Sequence, residues 1–350
     1  MRWLYVPNEQ KDGDQVGPRM AFEQFYAEGL FTAYGAYSYL ARAQALADHA
    51  AALREFENTV REFAPDVIFI QHPSNGYPMD GEFLRRLKSA GGQAKLVLFE
   101  ADPYGRIIKR MDQTLRAVIA ASDICYLVGT GVLADMAHEA GAKHIRFAPH
   151  SYDSRRFGGQ WTPTLKRSLD AVMIANLPLL KRIPGLYVPG GRKRKQTADI
   201  LYRGLGERFA VYGRDLGWRG VPYCRGGIEF DRQGDIIRDA WISVNWGQYD
   251  DIAMYGSDRL PISLACGVPH ITNYQTGYEH VFAAIPGLFV IKHPREALDV
   301  ALYLLSLPID RRNELGLAAA EYARKHLEAT VVYRDIVTGV REKLFEAMPA

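Results

Sequence analysis

Cysteine is scarce in this sequence, and its spacing is uninformative. The three cysteines, Cys125, Cys224 and Cys266, are widely separated. They offer neither a disulfide framework nor a paired set of metal ligands, which is typical of a reducing compartment. Cys125 and Cys266 lie inside apolar runs, where a cysteine usually acts as a small buried hydrophobic residue.

Long apolar runs are also missing. No stretch approaches the roughly 18 residues of a membrane span. Near the amino terminus, only residues 3–6 are apolar before a polar segment begins at Pro7, so we see no signal-peptide core. We therefore expect a cytoplasmic protein, with peripheral contact to the cytoplasmic face of a membrane as the alternative.

Neither sign of charge is in excess. The 350 residues contain 43 Lys and Arg against 40 Asp and Glu, a net charge of +3, and 48% are hydrophobic. This composition excludes a disordered chain, and the near balance does not by itself indicate a nucleic-acid partner. At roughly 100–200 residues per domain, the length predicts two domains, each with its own core.

Several motifs with known chemistry do not occur. The sequence has no G-x-S-x-G nucleophile elbow and no H-E-x-x-H or similar spacing of metal ligands. The polar loop at residues 7–18 contains two glycines but lacks G-x-G-x-x-G, so a dinucleotide site there is weakly supported. Only Asp12-Gly13-Asp14 has Asp-x-Asp spacing. We therefore predict neither a resident metal nor a cofactor.

Short apolar runs alternate with longer segments of helical periodicity. In the first half, buried strands are predicted at residues 3–6, 67–70, 96–99, 124–128 and 145–147. The segments between them with helical periodicity are 22–63, 81–90, 108–121 and 131–140. Such alternation predicts a parallel sheet covered by helices on both faces.

The alternation restarts after a break with Gly and Pro at residues 158–163, which is typical of a linker. Strands are predicted at 171–174, 209–212, 242–244, 270–272 and 288–291, and helices near 195–205, 234–239, 261–266, 278–283 and 294–307. Two more helices follow, near 310–326 and 330–347. The predicted fold is therefore α/β, with two tandem, Rossmann-like, doubly wound parallel-sheet domains whose ligands bind at the carboxyl ends of the strands.

Residues 20–63 are dense in aromatic side chains and are interrupted by Gly29 and Gly35, which predicts two helices joined by a loop. Two interpretations of the rings stay open: packing within the core, or an exposed aromatic surface for an acceptor or a membrane interface. The rings belong to Phe22, Phe25, Tyr26, Phe31, Tyr34, Tyr37 and Tyr39.

Residues able to move a proton follow three predicted strands of the first domain. His72, Asp102 and His150 come after the second, third and fifth strands. We expect them to face one rim of the sheet, where a carboxylate or an imidazole can deprotonate a hydroxyl nucleophile. The alternatives are structural, with Asp102 capping the next turn and each histidine packing beside its neighbouring proline.

The second domain carries cations and glycines after successive strands. Gly190-Gly191 precedes Arg192 and Lys193 at the start of a helix, an arrangement suited to a diphosphate, with a solvated basic surface as the alternative. Arg214 follows the next strand, and an arginine there can clamp a phosphate.

The later strands of this domain add further candidate donor-binding residues. Asn245 ends a strand, and Ser257, Asp258 and Arg259 precede an apolar helix, where they either face a nucleotide sugar or cap the helix. We also include Gly277 and Tyr278, which follow the next strand.

The segment SDRLPISLACGVP, residues 257–269, resembles the donor-site segment of glycosyltransferases with two Rossmann-like domains, the GT-B fold. The likeness is greatest to the spore-maturation CgeB-like group, whose segment reads S-x-R-x-F-E-A-x-A-C-G. Other segments resemble that group in the same order: LFEADPY at 98–104, residues 122–157, VYGRDLGW at 211–218, ISVNW at 242–246 and HLEATVVYR at 326–334. The resemblance covers residues 96–334.

This resemblance implies metal-independent transfer of a sugar from a UDP- or GDP-linked donor to an acceptor hydroxyl in an interdomain cleft. It implies that residues 161–329 bind the nucleotide sugar, with Arg192, Lys193, Arg214 and Arg259 toward the diphosphate. Residues 1–160 would bind the acceptor, with Asp102 as the first candidate for the base. The last segment, 330–350, would cross back to the first domain.

One departure from the family pattern concerns the donor site. Ile262 stands where the family has glutamate, and Pro261 replaces the preceding phenylalanine. Asp258 is a candidate substitute because a spacing of four keeps both residues on one helix face. The departure leaves a second interpretation open, a catalytically degenerate protein that binds a nucleotide sugar.

The acceptor also stays open on the sequence alone. A glycan, a lipid-linked glycan at a membrane surface and another hydroxyl compound are all compatible with this fold. A modified DNA base is a further alternative, and it would require a basic cleft with salt-dependent binding.

Overall fold

The computed structural model describes residues 1–74, 76–159 and 161–345. The chain forms two compact units: unit 1 comprises Met1–Pro149 and Ala329–Ala350, and unit 2 comprises His150–Glu328. Three parts of the chain lie outside the described residues: Asn75, Gln160 of the predicted linker, and residues 346–350 of the predicted last segment.

Within its described residues, unit 1 contains a six-stranded parallel sheet with the strand order β2-β1-β3-β4-β5-β7. The strands are β1 (Arg2–Val6), β2 (Ala33–Ala36), β3 (Val67–Gln71), β4 (Lys95–Glu100), β5 (Ile124–Leu127), the two-residue β6 (Thr130–Gly131) and β7 (Ile145–Phe147). The helices are α1 (Val16–Ala27), α2 (Tyr39–Leu46), α3 (His49–Phe63), α4 (Gly81–Ala90), α5 (Gln113–Ala121) and α6 (Val132–Glu139), with α14 (Ala329–Leu344) from the end of the chain.

Local signals in the sequence account for these elements. Every residue of β3 and of β5 is buried, as expected for short apolar strands in a parallel sheet. The carboxylate of Asp80 accepts a hydrogen bond from the Phe83 N–H at 2.7 Å and caps α4. Asp112 caps α5 in the same way, so that helix begins at Gln113 and not near residue 108 as predicted.

The aromatic stretch differs from its prediction, since it contains an additional strand. Residues 20–63 form the end of α1, then β2, α2 and α3, because Ala33–Ala36 pairs with β1 at the edge of the sheet. Of the seven rings, Tyr26 is 51% exposed and Tyr34 is partly buried. The other five are buried in the core: Phe22, Phe25, Phe31, Tyr37 and Tyr39.

The last helix of the chain packs within unit 1. Tyr333 of α14 is buried, and its ring centroid lies 5.2 Å from that of Phe22, 6.1 Å from that of Phe69 and 5.8 Å from that of Phe99. Unit 1 therefore completes its core with a segment that is distant in sequence.

Unit 2 contains a five-stranded parallel sheet in its described residues, with the strand order β13-β12-β10-β8-β9. The strands are β8 (Leu169–Ile174), β9 (Phe209–Tyr212), β10 (Ala240–Val244), the two-residue β11 (Ile252–Ala253), β12 (His270–Asn273) and β13 (Leu288–Ile291). The helices are α7 (Ser154–Phe157), α8 (Gly191–Leu205), α9 (Gln233–Arg238), α10 (Arg259–Ala265), α11 (Tyr278–Val281), α12 (Glu296–Ser306) and α13 (Ile309–His326). Short 3-10 turns lie at Leu180–Arg182, Gly206–Arg208, Leu216–Trp218 and Phe230–Arg232.

Both sheets are parallel, and helices connect their successive strands. The predicted α/β class with two Rossmann-like sheets is therefore confirmed. The boundaries differ mostly by one to four residues: α8 begins at Gly191 where residue 195 was predicted, and α10 begins at Arg259 where residue 261 was predicted.

Candidate functional site

His72, Glu100 and Asp102 lie together at the carboxyl ends of β3 and β4. These strands are neighbours, with Gln71 paired to Phe99, so the residues that follow them share one edge of the sheet. The N–H of His72 donates to the Phe99 carbonyl at 2.8 Å. His72 has a φ of +47°, in the left-handed region that non-glycine residues rarely adopt. Such strained backbone often occurs at functional sites.

The imidazole of His72 lies between two carboxylates. Its Nδ1 contacts Oε1 of Glu100, and its Nε2 lies 3.8 Å from Oδ2 of Asp102. The same Glu100 oxygen accepts the N–H of Asp102 at 2.8 Å. The Glu100 side chain is completely buried, while that of His72 is 20% exposed. The arrangement fixes the ring through Nδ1 and leaves Nε2 on the side of Asp102.

Burial and charge shift the pKa values of this pair. Burial of the Glu100 carboxyl raises its pKa, and contact with His72 only partly opposes that shift. Burial alone would lower the pKa of His72, but the attraction of Glu100, its hydrogen bond and the nearby Asp102 outweigh burial and raise it. The pair therefore retains a proton more readily than its separate members would.

Asp102 is also engaged by a cation. Its Oδ2 forms an ion pair with Nζ of Lys109, which in turn lies 5.1 Å from the centre of the Tyr104 ring. An acceptor hydroxyl at Asp102 would thus compete with Lys109. Glu100 and Lys109 were not among the predicted site residues. Glu100 is the last residue of β4, and the sequence does not reveal that its side chain is fully buried.

His150, the third predicted proton carrier, belongs to unit 2. Its ring packs edge-on against Tyr255, with 6.2 Å between the centroids.

In unit 2, the beginning of α8 packs closely on the loop after β10. Gly190 has a φ of +71°, and a Cβ there would lie 2.3 Å from the Gly247 carbonyl oxygen. Only glycine fits this approach. The glycines at 190 and 191 therefore have a structural role. They allow the first turn of α8 to lie against the carboxyl end of β10.

The basic residues of this turn point in different directions. Arg192 is exposed, and Lys193 forms a 2.6 Å ion pair with Asp250 and lies 5.5 Å from the Trp246 ring centre. Arg194, which was not selected from the sequence, points inward. Its guanidinium donates to the Trp246 carbonyl at 2.9 and 2.7 Å and to the Asn176 carbonyl.

The charge of Arg194 is unbalanced. Within the described residues, no carboxylate lies at ion-pair distance from it, since its hydrogen bonds go to backbone carbonyls just after β8 and β10. Burial, followed by repulsion from Arg259, lowers the pKa of Arg194 to about 10. A bound anion would compensate the buried charge of Arg194 and offset its repulsion from Arg259.

The start of α10 carries three predicted donor residues. Nδ2 of Asn245 donates to Oγ of Ser257 at 2.9 Å, which connects the end of β10 to this segment. Asp258 forms an ion pair with Arg259, and its side chain makes no hydrogen bond that caps the helix. Ile262 is buried in the core of the unit.

The remaining predicted donor residues have structural contacts. Arg214 forms an exposed ion pair with Glu229. Gly277 has a φ of +85° just before α11, and a Cβ there would lie 2.8 Å from the Met254 side chain. Tyr278 is buried and donates its hydroxyl to the Tyr255 carbonyl at 2.6 Å.

A buried histidine near this site was missed by the sequence interpretation. His270 of β12 is completely buried, and its Nδ1 lies 3.2 Å from Oγ of Ser243. Burial, and secondarily the charge of Arg259, lower the pKa of His270 to about 3, so the ring is neutral.

Two further properties concern metals and membranes. Across the described parts of the chain, no three His, Cys, Asp or Glu side chains are grouped in a way that could hold a metal ion. Among the helices of those same parts, none combines the length and the hydropathy that crossing a bilayer requires.

Comparison with known proteins agrees with the class that the fold indicates. Residues 192–338 match the family model described as Glycosyl transferase-like. No curated protein sequence is significantly similar to this chain. The family match begins in α8 and includes Arg194 and Arg259, and the prediction of a glycosyltransferase-class enzyme is confirmed.

Solved structures share the fold at low sequence identity. Anabaena Alr3699/HepE in complex with UDP and glucose has a TM-score of 0.62 at 10% identity, over 98% of this chain and 100% of that chain. Sucrose-phosphate synthase from Thermosynechococcus elongatus has a TM-score of 0.62 at 9% identity, over 99% and 100%. A glycosyltransferase from Rickettsia africae ESF-5 has a TM-score of 0.59 at 9% identity, over 99% and 98%. The two parallel-sheet units match the GT-B fold of such enzymes.

Proposed function

We propose that this protein transfers a sugar from a UDP-sugar to an acceptor hydroxyl, with the nucleotide bound by unit 2 and the acceptor by unit 1. The observation that carries the proposal is Arg194, whose charge no carboxylate balances within the described residues. A diphosphate supplies two negative groups and suits an arginine at the carboxyl ends of parallel strands. Complexes of HepE with UDP and with UDP-glucose, which share the fold, support a uridine nucleotide.

The reaction follows from these assignments. The acceptor oxygen attacks the anomeric carbon, the bond from that carbon to the diphosphate oxygen breaks, and UDP leaves with the electron pair. Arg194 and Arg259 stabilise the negative charge that develops on the diphosphate. The proton of the acceptor hydroxyl passes to a base of unit 1.

We assign the base to Nε2 of His72. Glu100 holds the opposite nitrogen and stabilises the imidazolium that forms, as a buried carboxylate does for other catalytic histidines. Asp102, the first candidate from the sequence, orients the acceptor hydroxyl in this proposal because its carboxylate lies 3.8 Å from Nε2 of His72, and the hydroxyl would share that carboxylate with Lys109. His150 has no part in this step.

The finer assignments belong to the same proposal. The ordered motifs between residues 96 and 334 support membership of the CgeB-like group, and the metal-independent reaction rests on the cations that would stabilise the leaving group. Buried Ile262 favours a second candidate, a protein that binds the nucleotide sugar without turning it over.

Calorimetric titration with UDP in excess EDTA tests the donor site. Hydrogen bonds to charged groups are worth about 1.5–3 kcal/mol, so Arg194→Gln should weaken UDP binding about 10–150-fold. The matched control, Arg203→Gln, removes an exposed charge from the last turn of the same helix and should change the affinity less than threefold. Equal affinities in the two variants, or loss of wild-type binding in EDTA, would contradict the assignment.

Turnover separates the two candidate functions. Release of UDP from UDP-sugars is measured with glycans, lipid-linked glycans and hydroxymethylated DNA as acceptors. UDP binding that depends on Arg194, without turnover of any donor, would favour the non-catalytic candidate.

A further inference from the structure

A basic loop follows the candidate acceptor site of unit 1. The loop, residues 103–111, begins directly after Asp102 and ends just before Asp112, which caps α5. The Gly105 N–H donates to the Lys109 carbonyl at 3.2 Å and closes the loop. Lys109 has a φ of +53°, so its side chain reaches back to Asp102 while the chain continues to Arg110.

The far side of this loop borders a small cavity of about 110 Å³. Its lining includes Arg106, Arg110, Arg116, Glu139 and two methionines. Arg106 forms a 2.9 Å ion pair with Glu139. Within the described residues, Arg110 and Arg116 have no carboxylate at ion-pair distance, so two positive charges of the cavity stay unbalanced.

Two guanidinium groups on one small cavity favour a compact anion with several acceptor oxygens. Arginine binds phosphate through paired N–H donors, and two such groups can divide the oxygens between them. The cavity is too small to enclose a nucleotide, whereas pockets for drug-sized ligands measure roughly 300–1,000 Å³.

We propose that the cavity at Arg110 and Arg116 binds a phosphate group of the acceptor. The inference rests on the proposed function, which gives the acceptor to unit 1. Arg110 is adjacent in sequence to Lys109, the partner of Asp102. One short loop therefore carries both Lys109, beside the reacting hydroxyl, and Arg110, beside the phosphate. In this proposal the acceptor is a phosphorylated compound.

The phosphate belongs either to a lipid headgroup or to a soluble acceptor. Ile107 lies on the same loop and is 88% exposed, the arrangement expected where an apolar side chain enters a lipid surface beside basic residues.

The first experiment measures phosphate binding directly. Inorganic phosphate is titrated into the full chain, with UDP present in excess to occupy unit 2, while amide chemical shifts of residues 104–116 are recorded. The double variant Arg110→Gln/Arg116→Gln should bind at least tenfold more weakly than wild type. The control Arg85→Gln/Lys143→Gln removes two exposed charges of unit 1 and should bind within twofold of wild type. Equal weakening in both double variants, or none in either, would overturn the proposal.

The second experiment identifies the source of the phosphate. All variants and Ile107→Ser are sedimented with phosphatidylglycerol vesicles and with phosphatidylcholine vesicles. Retention on phosphatidylglycerol that is lost in the site variant and in Ile107→Ser supports a lipid phosphate. Loss of inorganic phosphate binding in the site variant, without vesicle binding by any protein, supports a soluble phosphorylated acceptor.

The two proposals fail in different ways. If UDP does not bind, the donor assignment is wrong, while the phosphate titration still decides the cavity. If UDP binds and turns over but the two double variants behave alike, the phosphate proposal alone is refuted.

Discussion

Replacing Glu100 by glutamine would test how the buried carboxylate controls His72. Glutamine keeps the shape of the side chain, and its oxygen can still accept a hydrogen bond from Nδ1, so the ring keeps its orientation. The substitution removes the negative charge that raises the pKa of His72. Burial, which lowers that pKa, then dominates, and we expect the pKa to fall below its ordinary value of about 6.5.

Glu100→Gln removes the negative charge but keeps the orientation of the His72 ring, and the expected loss of rate follows from this difference. A general base contributes about 10²–10⁴-fold, and His72→Ala should lose that whole factor. Glu100→Gln retains the aligned ring but weakens it as a base and no longer stabilises the imidazolium. Because the ring stays aligned, Glu100→Gln should lose about tenfold or more in rate but less than His72→Ala loses.

The pH dependence gives the sign of the effect. The base works only when Nε2 is unprotonated, so kcat/KM of the wild type falls as the pH drops through the raised pKa of the pair. In Glu100→Gln this acid limb should move to lower pH, with a lower plateau. Glu82→Gln, which changes an exposed carboxylate of α4, should leave both limb and plateau unchanged.

A spectroscopic titration makes the result independent of the acceptor. Long-range ¹H–¹⁵N correlation spectra of the histidine rings report the pKa and the tautomer of His72 in the full chain. The reasoning is refuted if the pKa of His72 is the same in wild type and in Glu100→Gln, or if the variant has the higher value.

Two predictions concern stability. Tyr333→Ala should cost about 3–5 kcal/mol in the free energy of unfolding because it opens the aromatic core of unit 1, whereas Tyr303→Ala at an exposed position should cost about 0.5 kcal/mol or less in denaturant titrations. His270 stays neutral when folded, so the unfolded chain binds more protons below pH 6.5 and stability should fall by about 2 kcal/mol between pH 6.5 and 5. In His270→Gln the free energy of unfolding should depend less on pH over this range, whereas exposed His138→Gln should keep the wild-type dependence. If His270→Gln keeps it as well, other groups cause the loss of stability.

The sequence predicted the strands of both sheets closely because short apolar runs bounded by polar turns have few alternatives. The strand at Ala33–Ala36 was missed, since an edge strand that is half exposed needs no apolar run, and its neighbours suggested helix. Donor candidates were harder to choose. In the run Arg192 to Lys195, successive residues rotate by about 100° around the helix, and only packing reveals which one points inward.

The same limit applies to unit 1. Sequence could place His72 and Asp102 after neighbouring strands because their positions follow from topology. It could not show that Glu100, at the last position of β4, is fully buried against the imidazole. Nor could it show that Lys109 folds back onto Asp102, since that depends on the left-handed backbone of one loop residue.

The position of Tyr333 in the core of unit 1 has a consequence for folding during synthesis. During synthesis, Phe22, Phe69 and Phe99 leave the ribosome long before the helix whose Tyr333 packs on them, whereas unit 2 is continuous in sequence. At about 5–20 residues per second, the wait between Pro149 and the end of the chain is on the order of 10–40 s. Unit 2 can therefore fold first, while the nascent amino-terminal segment exposes aromatic surface that a chaperone would recognise.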